Sequence, residues 1–442
     1  MIKMETTERW PQVRLSALFF ENDSKNSDFK EHRAFQFYFG TIVPKKEYEL
    51  TDDLIETYKK YTVIKPDDII INGLNLNYDF VTQRVGLVKE AGIITSAYLS
   101  IRPRSELNAK YYCYLLKTVD AHKLFHGLGT GIRLTLSFKD IKNLQLPIPS
   151  IEEQGQIVRY LDWKVSLINQ LLNIKQKEIR SIDAMKCSMV SSAVTRGLEP
   201  DVPMKFSGVK WLGDIPAHWE TIKLRQLLHP VSIKNHPELP LLSVVREQGV
   251  IVRDINDKEA NHNYIPDDLS GYKVVKRGQF AMNKMKAWQG SYGISDYTGI
   301  VSPAYFIFDV SFDNLEYFHY AIRSKVYVNF FAQASDGIRV GQWDLQMDKM
   351  KEIPFIVPPA DEQAAIVDYI NRMLPQYDVA IEKLTVEVET LEEYKTKLIA
   401  DVVTGKIDVR DVKIPEYEFI DEDVDSDSEG ENDLDDIEEQ ED

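Results

Sequence analysis

Leu146-Pro-Ile-Pro-Ser-Ile-Glu-Glu-Gln154 returns in altered wording 209 positions later, as Phe355-Ile-Val-Pro-Pro-Ala-Asp-Glu-Gln363. The same offset relates the residues that follow each stretch, as far as Val194 and Val403. A match that keeps one offset over about fifty residues indicates an internal duplication. The chain is therefore predicted to hold two copies of one unit, a globular block followed by a long helix.

The repeat also extends back into the globular blocks. Gly92-Ile-Ile-Thr-Ser-Ala-Tyr98 matches Gly299-Ile-Val-Ser-Pro-Ala-Tyr305, and Gly131-Ile-Arg133 matches Gly337-Ile-Arg339. The offsets drift between these pairs, which is typical of a shared frame with loops of different length and different specificity. The predicted divisions are a first block at 1–148, a long helix at 149–197, a second block at 198–357, a second long helix at 358–414 and an acidic tail at 415–442.

Apolar residues recur with heptad spacing along both predicted helices, and the two patterns are in phase. They are Val165, Ile168, Leu172, Ile179, Ile182, Met189 and Ala193 in the first helix, and Leu374, Tyr377, Ile381, Val388, Leu391, Leu398 and Val402 in the second. Such a seam needs a partner helix, and the simplest partner is the other copy, packed antiparallel around a pseudo-twofold axis. The first helix would span roughly 65 Å, whereas Pro375 is predicted to kink or break the second near its start. The fold class is therefore α+β, with two duplicated α/β domains joined by two long antiparallel, coiled-coil-like helices.

The formal net charge of −17 is concentrated at one end of the chain. Sixteen acidic residues and no Lys or Arg lie between 416 and 442, so the remainder carries a net charge of −1 and has room for basic faces. The tail is expected to be disordered because it has too little apolar surface for a core. Two interpretations stay open, a solvated tail that aids solubility and a weak DNA mimic that competes for basic grooves.

Several classes of protein are disfavoured. No apolar run is long enough to span a bilayer, and the start lacks the apolar segment of a signal peptide, so a cytoplasmic protein without a membrane role is expected. Cys113 and Cys187 form no metal or disulfide pattern. The second copy opens with the motif Trp211-Leu-Gly-Asp-Ile-Pro-Ala-His-Trp219, of which the first copy keeps only Trp10. This difference indicates that the start of the first copy is shortened.

The sequence contains no convincing catalytic centre. Gly127-Leu-Gly-Thr-Gly131 resembles a glycine loop for a nucleotide or methyl donor, but it follows no apolar strand and the second copy loses two of its glycines. Pro-Asp-Asp at 66–68 and at 266–268 suggests a nuclease, yet the two occurrences are not equivalent in the repeat. The eight histidines show no metal spacing. No cofactor or metal is expected on this chain.

Residues suited to DNA contact are present in both blocks. Arg133 and Arg339 are the strongest candidates, because the repeat singles out Gly-Ile-Arg and arginine binds phosphate well. Amide and basic side chains that recognise bases or hold phosphate follow a strand in each block. The candidates are Asn72, Asn75, Asn77 and Arg84 in the first block, and Lys284, Lys286, Gln289 and Tyr292 in the second. The alternative for each is a solvated hairpin residue or, for the arginines, an internal salt bridge.

The chain resembles the specificity subunits of type I restriction-modification enzymes. The resemblance covers about residues 8–412 and rests on Gln154-x-x-Ile157-Val158, its copy Gln363-x-x-Ile366-Val367, and Trp211-Leu-Gly-Asp-Ile-Pro-Ala-His-Trp219. It implies two target-recognition domains that each read one half of a split site in double-stranded DNA, with the helices fixing the unread gap.

The resemblance also implies partners. The helices would dock two adenine methyltransferase subunits that use S-adenosylmethionine, and two restriction subunits driven by ATP with Mg²⁺ would join them. On this interpretation the chain is not itself the catalyst. Two other hypotheses are a free-standing methyltransferase or nuclease, which lacks the required motifs, and a coiled-coil scaffold with two protein-binding modules and no DNA role.

Overall fold

The structure is a computed structural model that describes residues 9–46, 49–76, 83–104, 106–129, 134–209, 212–254, 266, 268–339 and 342–420. The chain divides into two compact units, and each unit takes one stretch of each long helix. Unit 1 comprises residues 1–176 and 386–442, and unit 2 comprises residues 177–385.

Short antiparallel strands build the globular part of unit 1. The described strands are β1 (Gln12–Arg14), β2 (Phe19–Glu21), β3 (Phe35–Tyr38), β4 (Thr41–Pro44), β5 (Thr62–Ile64), β6 (Ile69–Ile71), β7 (Val85–Leu87), β8 (Gly92–Ile94), β9 (Leu99–Pro103) and β10 (Gln145–Pro147). Those of unit 2 are β11 (Met204–Phe206), β12 (Asp214–Pro216), β13 (Glu220–Lys223), β14 (Leu228–Val231), β15 (Leu242–Val245), β16 (Gly249–Val252), β17 (Lys273–Val275), β18 (Phe280–Asn283), β19 (Tyr292–Ile294), β20 (Gly299–Val301), β21 (Tyr305–Val310), β22 (Ser335–Arg339), β23 (Gln342–Leu345) and β24 (Pro354–Val357).

The described α-helices differ widely in length, and two of them are much longer than the rest. The α-helices are α1 (Leu15–Leu18), α2 (Asp52–Lys59), α3 (Ala109–Ala121), α4 (Phe138–Ile141), α5 (Ile151–Arg196), α6 (Leu315–Arg323), α7 (Lys325–Gln333), α8 (Met347–Lys351) and α9 (Ala360–Val403). Helices α5 and α9 contain 46 and 44 residues and begin within the duplicated motif, after its prolines. No helix among the described residues is both long and apolar enough to cross a membrane.

The two units repeat one sheet topology. Unit 1 holds a four-stranded sheet in the order β2-β9-β6-β7, and unit 2 holds its counterpart in the order β14-β21-β18-β19. Each is accompanied by equivalent antiparallel pairs: β1 with β10 and β13 with β24, β3 with β4 and β15 with β16, and β5 with β8 and β17 with β20. The duplicated mixed fold predicted from the sequence is confirmed.

Each unit closes its own core around residues of both long helices. In unit 1, Leu161 of α5 and Val402 of α9 are buried with the apolar face of α3. In unit 2, Val194 of α5 and Ile366 of α9 are buried with α6, α7 and the fully buried Trp219. The apolar stripes of the helices therefore belong to the two cores as well as to the helix pair.

The antiparallel pairing of α5 and α9 is visible inside each unit. In unit 2, the Lys186 ammonium lies 2.6 Å from the Asp378 carboxylate. In unit 1, the repeat-related Lys395 donates to the Asn169 side chain at 3.4 Å. Because position 169 is the repeat counterpart of 378, one seam contact occurs twice, with an acid in one copy and an amide in the other. The predicted antiparallel partner is confirmed.

Pro375 was predicted to kink or break the second helix, and the predicted break is wrong. Helix α9 continues through this residue to Val403. Proline removes one backbone donor and crowds the preceding turn, but neighbouring contacts hold the helix. Asn371 accepts from the Tyr320 hydroxyl at 2.5 Å and donates to Glu316 at 2.7 Å, while Ile370 is fully buried.

Replacing Pro375 with alanine should stabilise unit 2. The restored helix hydrogen bond and removed clash contribute up to about 3 kcal/mol, and the freer unfolded chain offsets up to about 1 kcal/mol. We expect a net gain of about 2 kcal/mol in the free energy of unfolding, measured by urea denaturation. Gln376→Ala, at the next exposed position, is the control and should change stability by less than about 0.5 kcal/mol. A loss of stability in Pro375→Ala would show that the proline fits a bend the fold requires.

Candidate nucleic-acid interface

Two polar connections occupy equivalent places in the two units. The first leaves β6 at Asn72, and the second leaves β18 at Asn283. The Asn72 side-chain oxygen accepts from the N–H of Leu74 at 3.2 Å, and that of Asn283 accepts from Met285 at 3.1 Å. Both asparagines thus start the same local turn, in which the side chain replaces a backbone acceptor.

Residues that follow Gly-Ile-Arg in the sequence bond to this connection in both units. The N–H of Leu136 donates to the carbonyl of Gly73 at 2.8 Å, and the N–H of Leu345 donates to Lys284 at 3.1 Å. Leu136 and Leu345 are repeat counterparts, so the fold builds the same junction twice. Gly73 is needed there because a Cβ would lie 2.7 Å from the Leu136 carbonyl oxygen. The residue that makes this bond lies a few positions after one predicted segment and contacts the other predicted segment in both units.

Of the two predicted arginines, one lies outside the described residues and the other is described by its backbone. Arg133 and Asn77 lie outside the described residues. Arg339 ends β22, and its backbone pairs with Gln342 in the β22–β23 hairpin. Asn75 is exposed and takes a left-handed backbone conformation with φ of +49°. Asparagine adopts that conformation more readily than most residues, which suits it to this turn.

In unit 2 the connection presents basic and aromatic groups together. Lys286 is exposed, and Gln289 is half-buried in the short 3₁₀ turn that precedes β19. The Lys284 ammonium lies 2.9 Å from the Asp344 carboxylate, which ties the connection to β23. Beside it the rings of Trp288 and Trp343 pack with centroids 5.0 Å apart. Cationic and planar groups on one surface suit contact with phosphates and bases.

Two predicted contact residues are part of the interior instead. Tyr292 is fully buried in β19, 4.4 Å from the Phe331 ring between centroids, and burial raises the pKa of its phenol. Arg84 is 1% exposed, and its guanidinium donates to the carbonyls of Asn72 and Leu74 at 3.1 and 2.8 Å. Direct DNA contact by these side chains does not fit their burial. Arg84 instead holds the shape of the first connection.

Sequence reasoning missed Trp343 and Asp344. They follow the Gly-Ile-Arg segment and face the connection from β23. Their repeat counterparts are Leu134 and Thr135, which carry neither a charge nor an aromatic ring. A comparison of the two copies could therefore have pointed to Trp343 and Asp344, because they differ in charge and aromatic character from the residues at the same repeat positions.

A partly buried histidine supports the strand that follows the second connection. The Nδ1 of His319 on α6 accepts from the N–H of Ile294 in β19 at 3.3 Å. Burial, with help from the nearby Arg323 guanidinium, lowers the pKa of His319 to about 4. The side chain is therefore neutral in the folded protein, as its acceptor role requires.

Unit 2 should lose stability below pH 6.5 because of His319. The histidine binds a proton near pH 6.5 in the unfolded chain and only near pH 4 in the folded chain. Protonation therefore stabilises the unfolded state more and more as the pH falls from 6.5 to 4, and the free energy of unfolding decreases. Between pH 7.5 and pH 5, the free energy of unfolding of the native chain should fall by about 2 kcal/mol more than that of His319→Gln. The glutamine amide keeps an acceptor oxygen but does not titrate. Parallel denaturation of both proteins at pH 7.5 and pH 5 isolates this difference. Equal pH dependence in the two proteins would contradict the prediction.

Among the described residues, no group of three or more His, Cys, Asp or Glu side chains is arranged to hold a metal ion. Cys113 is buried, and burial raises the pKa of its thiol, whereas Cys187 is exposed.

Comparisons with known proteins find relatives that share the sequence pattern and the fold of this chain. Residues 9–181 match the family described as the type I restriction modification DNA specificity domain. The type I restriction enzyme MjaVIII specificity subunit of Methanocaldococcus jannaschii is 24% identical over 436 residues, which cover 92% of this chain and 95% of the relative. The putative MjaX specificity subunit of the same organism is 25% identical over 327 residues, 71% of each chain. A chain from a solved type I R-M system structure aligns over 91% of this chain and 100% of its own length, with a TM-score of 0.61 and 12% identity.

Residues 9–181 match the DNA specificity domain family, and the chain as a whole is similar to type I specificity subunits along almost their full length, which supports a role in DNA sequence specificity. The match along almost the whole relative agrees with the duplicated fold found in the two units. The hypothesis of a scaffold without a DNA role is not favoured.

Proposed function

We propose that each unit reads one half of a bipartite site in double-stranded DNA, unit 1 through the connection after β6 and unit 2 through the connection after β18. The observation that carries this proposal is the junction built twice, in which the N–H groups of Leu136 and Leu345, which follow the two Gly-Ile-Arg segments in the sequence, donate to that connection. A shared backbone with different side chains is what two readers of different half-sites require.

The chain itself supplies recognition and docking in this proposal, without catalysis. Two adenine methyltransferase subunits bind S-adenosylmethionine and modify the site, and two restriction subunits use ATP and Mg²⁺. The complex works in the cytoplasm, where its DNA is present. Support comes from the similarity of the chain to type I specificity subunits and from the long helices, which offer exposed side chains such as Leu171 and Val386 for partner subunits.

Genome-wide adenine methylation tests the function directly. This chain is expressed with its cognate methyltransferase subunit in a host without adenine methylation. We expect a bipartite motif that is absent when this chain is omitted. Co-purification of the two proteins without any methylated motif would contradict the proposal.

Substitutions in the two units should affect the two half-sites separately. As base contacts, Arg339→Ala and Lys286→Ala should weaken discrimination in one half of the motif by about tenfold, since a good base contact contributes about 1–3 kcal/mol. Loss of a phosphate contact would instead weaken methylation of all sequences alike. Arg133→Ala should act on the other half, and the double variant Arg133→Ala with Arg339→Ala should methylate poorly while still binding the methyltransferase.

Tyr292→Phe is the matched control for these variants. Its buried hydroxyl has no hydrogen-bond partner among the described atoms, so removing it should leave both half-sites unchanged. Loss of both halves in a single-unit variant would show a general loss of assembly instead of a local contact.

The long helices are proposed to set the unread gap, because they are the elements that both units share. Duplicating residues 177–183 and 379–385 together adds two turns to each helix and keeps the heptad phase. The added rise of about 10 Å should lengthen the gap by about three base pairs. The same seven-residue insertion at the exposed turn of Gly208 should leave the gap unchanged. An unaltered gap in the helix variant would contradict this role.

A further inference from the structure

A pocket bordered by lysines lies in unit 1, beside α3 and the stretches of α5 and α9 that belong to this unit. Its volume is about 460 Å³. The lysines that line it come from several elements and are Lys89, Lys110, Lys117, Lys123 and Lys395. Among the described lining residues the carboxylate is that of Asp120, which accepts from the backbone N–H of Arg84 at 2.7 Å. We call this the lysine pocket; its border is basic, with the Lys110 ammonium paired to the Asp162 carboxylate at 2.8 Å.

The chain after α9 leads to the lysine pocket along α5. Gln156 donates to the carbonyls of Val409 and Val412 at 3.0 and 2.8 Å, and the Ser166 hydroxyl donates to the Glu418 carbonyl at 2.9 Å. The N–H of Ile420 lies 2.7 Å from the same hydroxyl. These contacts advance together along the helix and the chain, so residues 409–420 form a fixed path over α5.

The path ends at the border of the pocket. Phe419 is one of the lining residues, and the Lys110 ammonium lies 5.1 Å from its ring centroid. Asn169, also in the lining, donates to the Ile420 carbonyl at 3.3 Å. The described chain therefore ends, at Ile420, beside the lysines.

The segment that starts there is a polyanion. Residues 421–442 contain fourteen Asp or Glu and no Lys or Arg. They lie outside the described residues, and an extended chain of that length reaches roughly 70 Å, so access to every lysine of the pocket is sterically easy. A segment tethered at the border has an effective concentration on the order of millimolar there.

We propose that residues 421–442 bind in the lysine pocket of the same chain, as an internal polyanion that competes with external polyanions such as DNA. The fixed path delivers the acidic segment, and opposite charge holds it. This binding is sensitive to salt, because the lysines border an open, water-filled pocket. The inference does not depend on which unit reads which half-site.

Carbodiimide coupling of the full chain tests the contact without DNA. The reagent joins carboxylates to nearby amines, and peptide mass spectrometry locates the bonds. An equal mixture of ¹⁴N and ¹⁵N chains separates links within a chain from links between chains. We expect links within one chain from residues 421–442 to Lys89, Lys117 or Lys123, reduced at high salt. Links to the exposed Lys139 and Lys142 as often as to the pocket, or links mainly between chains, would overturn the proposal.

DNA competition gives the second measurement. A full-length variant with the fourteen acids of 421–442 changed to Asn or Gln should bind a short non-specific duplex on the order of tenfold more tightly at low salt. Adding Lys89→Glu with Lys117→Glu should abolish that gain, whereas Lys139→Glu with Lys142→Glu, in the same unit but outside the pocket, should preserve most of it. Equal affinity of the neutralised and native chains would refute the competition. This outcome is separate from the half-site test, which reads methylated motifs.

Discussion

A buried tyrosine hydroxyl fastens each globular block to the end of the other copy's helix, and the architecture depends on this joint. Tyr111 donates to the Val403 carbonyl at 3.0 Å in unit 1, and Tyr317 donates to the Val194 carbonyl at 3.2 Å in unit 2. Carbonyls in the last turn of a helix lack an intrahelical donor, and a buried phenol needs an acceptor. Each block therefore places its tyrosine hydroxyl on a helix supplied by the other copy, and the Tyr317 hydroxyl also lies 3.5 Å from the Ile356 carbonyl of its own block.

Other joints repeat with the same fidelity. The indole N–H of Trp10 lies 3.2 Å from Glu153, and that of Trp219 lies 2.9 Å from Glu362, at the start of α5 and α9. The amide of the duplicated glutamine donates to a proline carbonyl five residues earlier in both copies. These contacts preserve the frame of a recognition unit, so its connections are free to differ. The tryptophan pair and the Lys284–Asp344 ion pair of unit 2 use that freedom.

The fold was largely predictable because duplication and periodicity are properties of the sequence alone. Heptad spacing indicated two long helices in phase, and the repeated Lys186 and Lys395 both lie on the seam between them. The break expected at Pro375 was wrong, since a local penalty of about 3 kcal/mol is small beside the packing of a 44-residue helix. The two segments of each copy that form the candidate site were predictable from the sequence. Which side chains of these segments are exposed at the site was not.

The sequence by itself determined that two copies of one unit exist, where their long helices begin, and which segments differ between them. These features follow from local pattern and from comparison of the chain with itself. Only the tertiary structure decided that Tyr292 and Arg84 are interior, that Trp343 and Asp344 belong to the surface, and that the path ending at Ile420 meets the lysine pocket. Burial and long-range contact depend on which elements pack together, and polar or aromatic character at one position does not specify them.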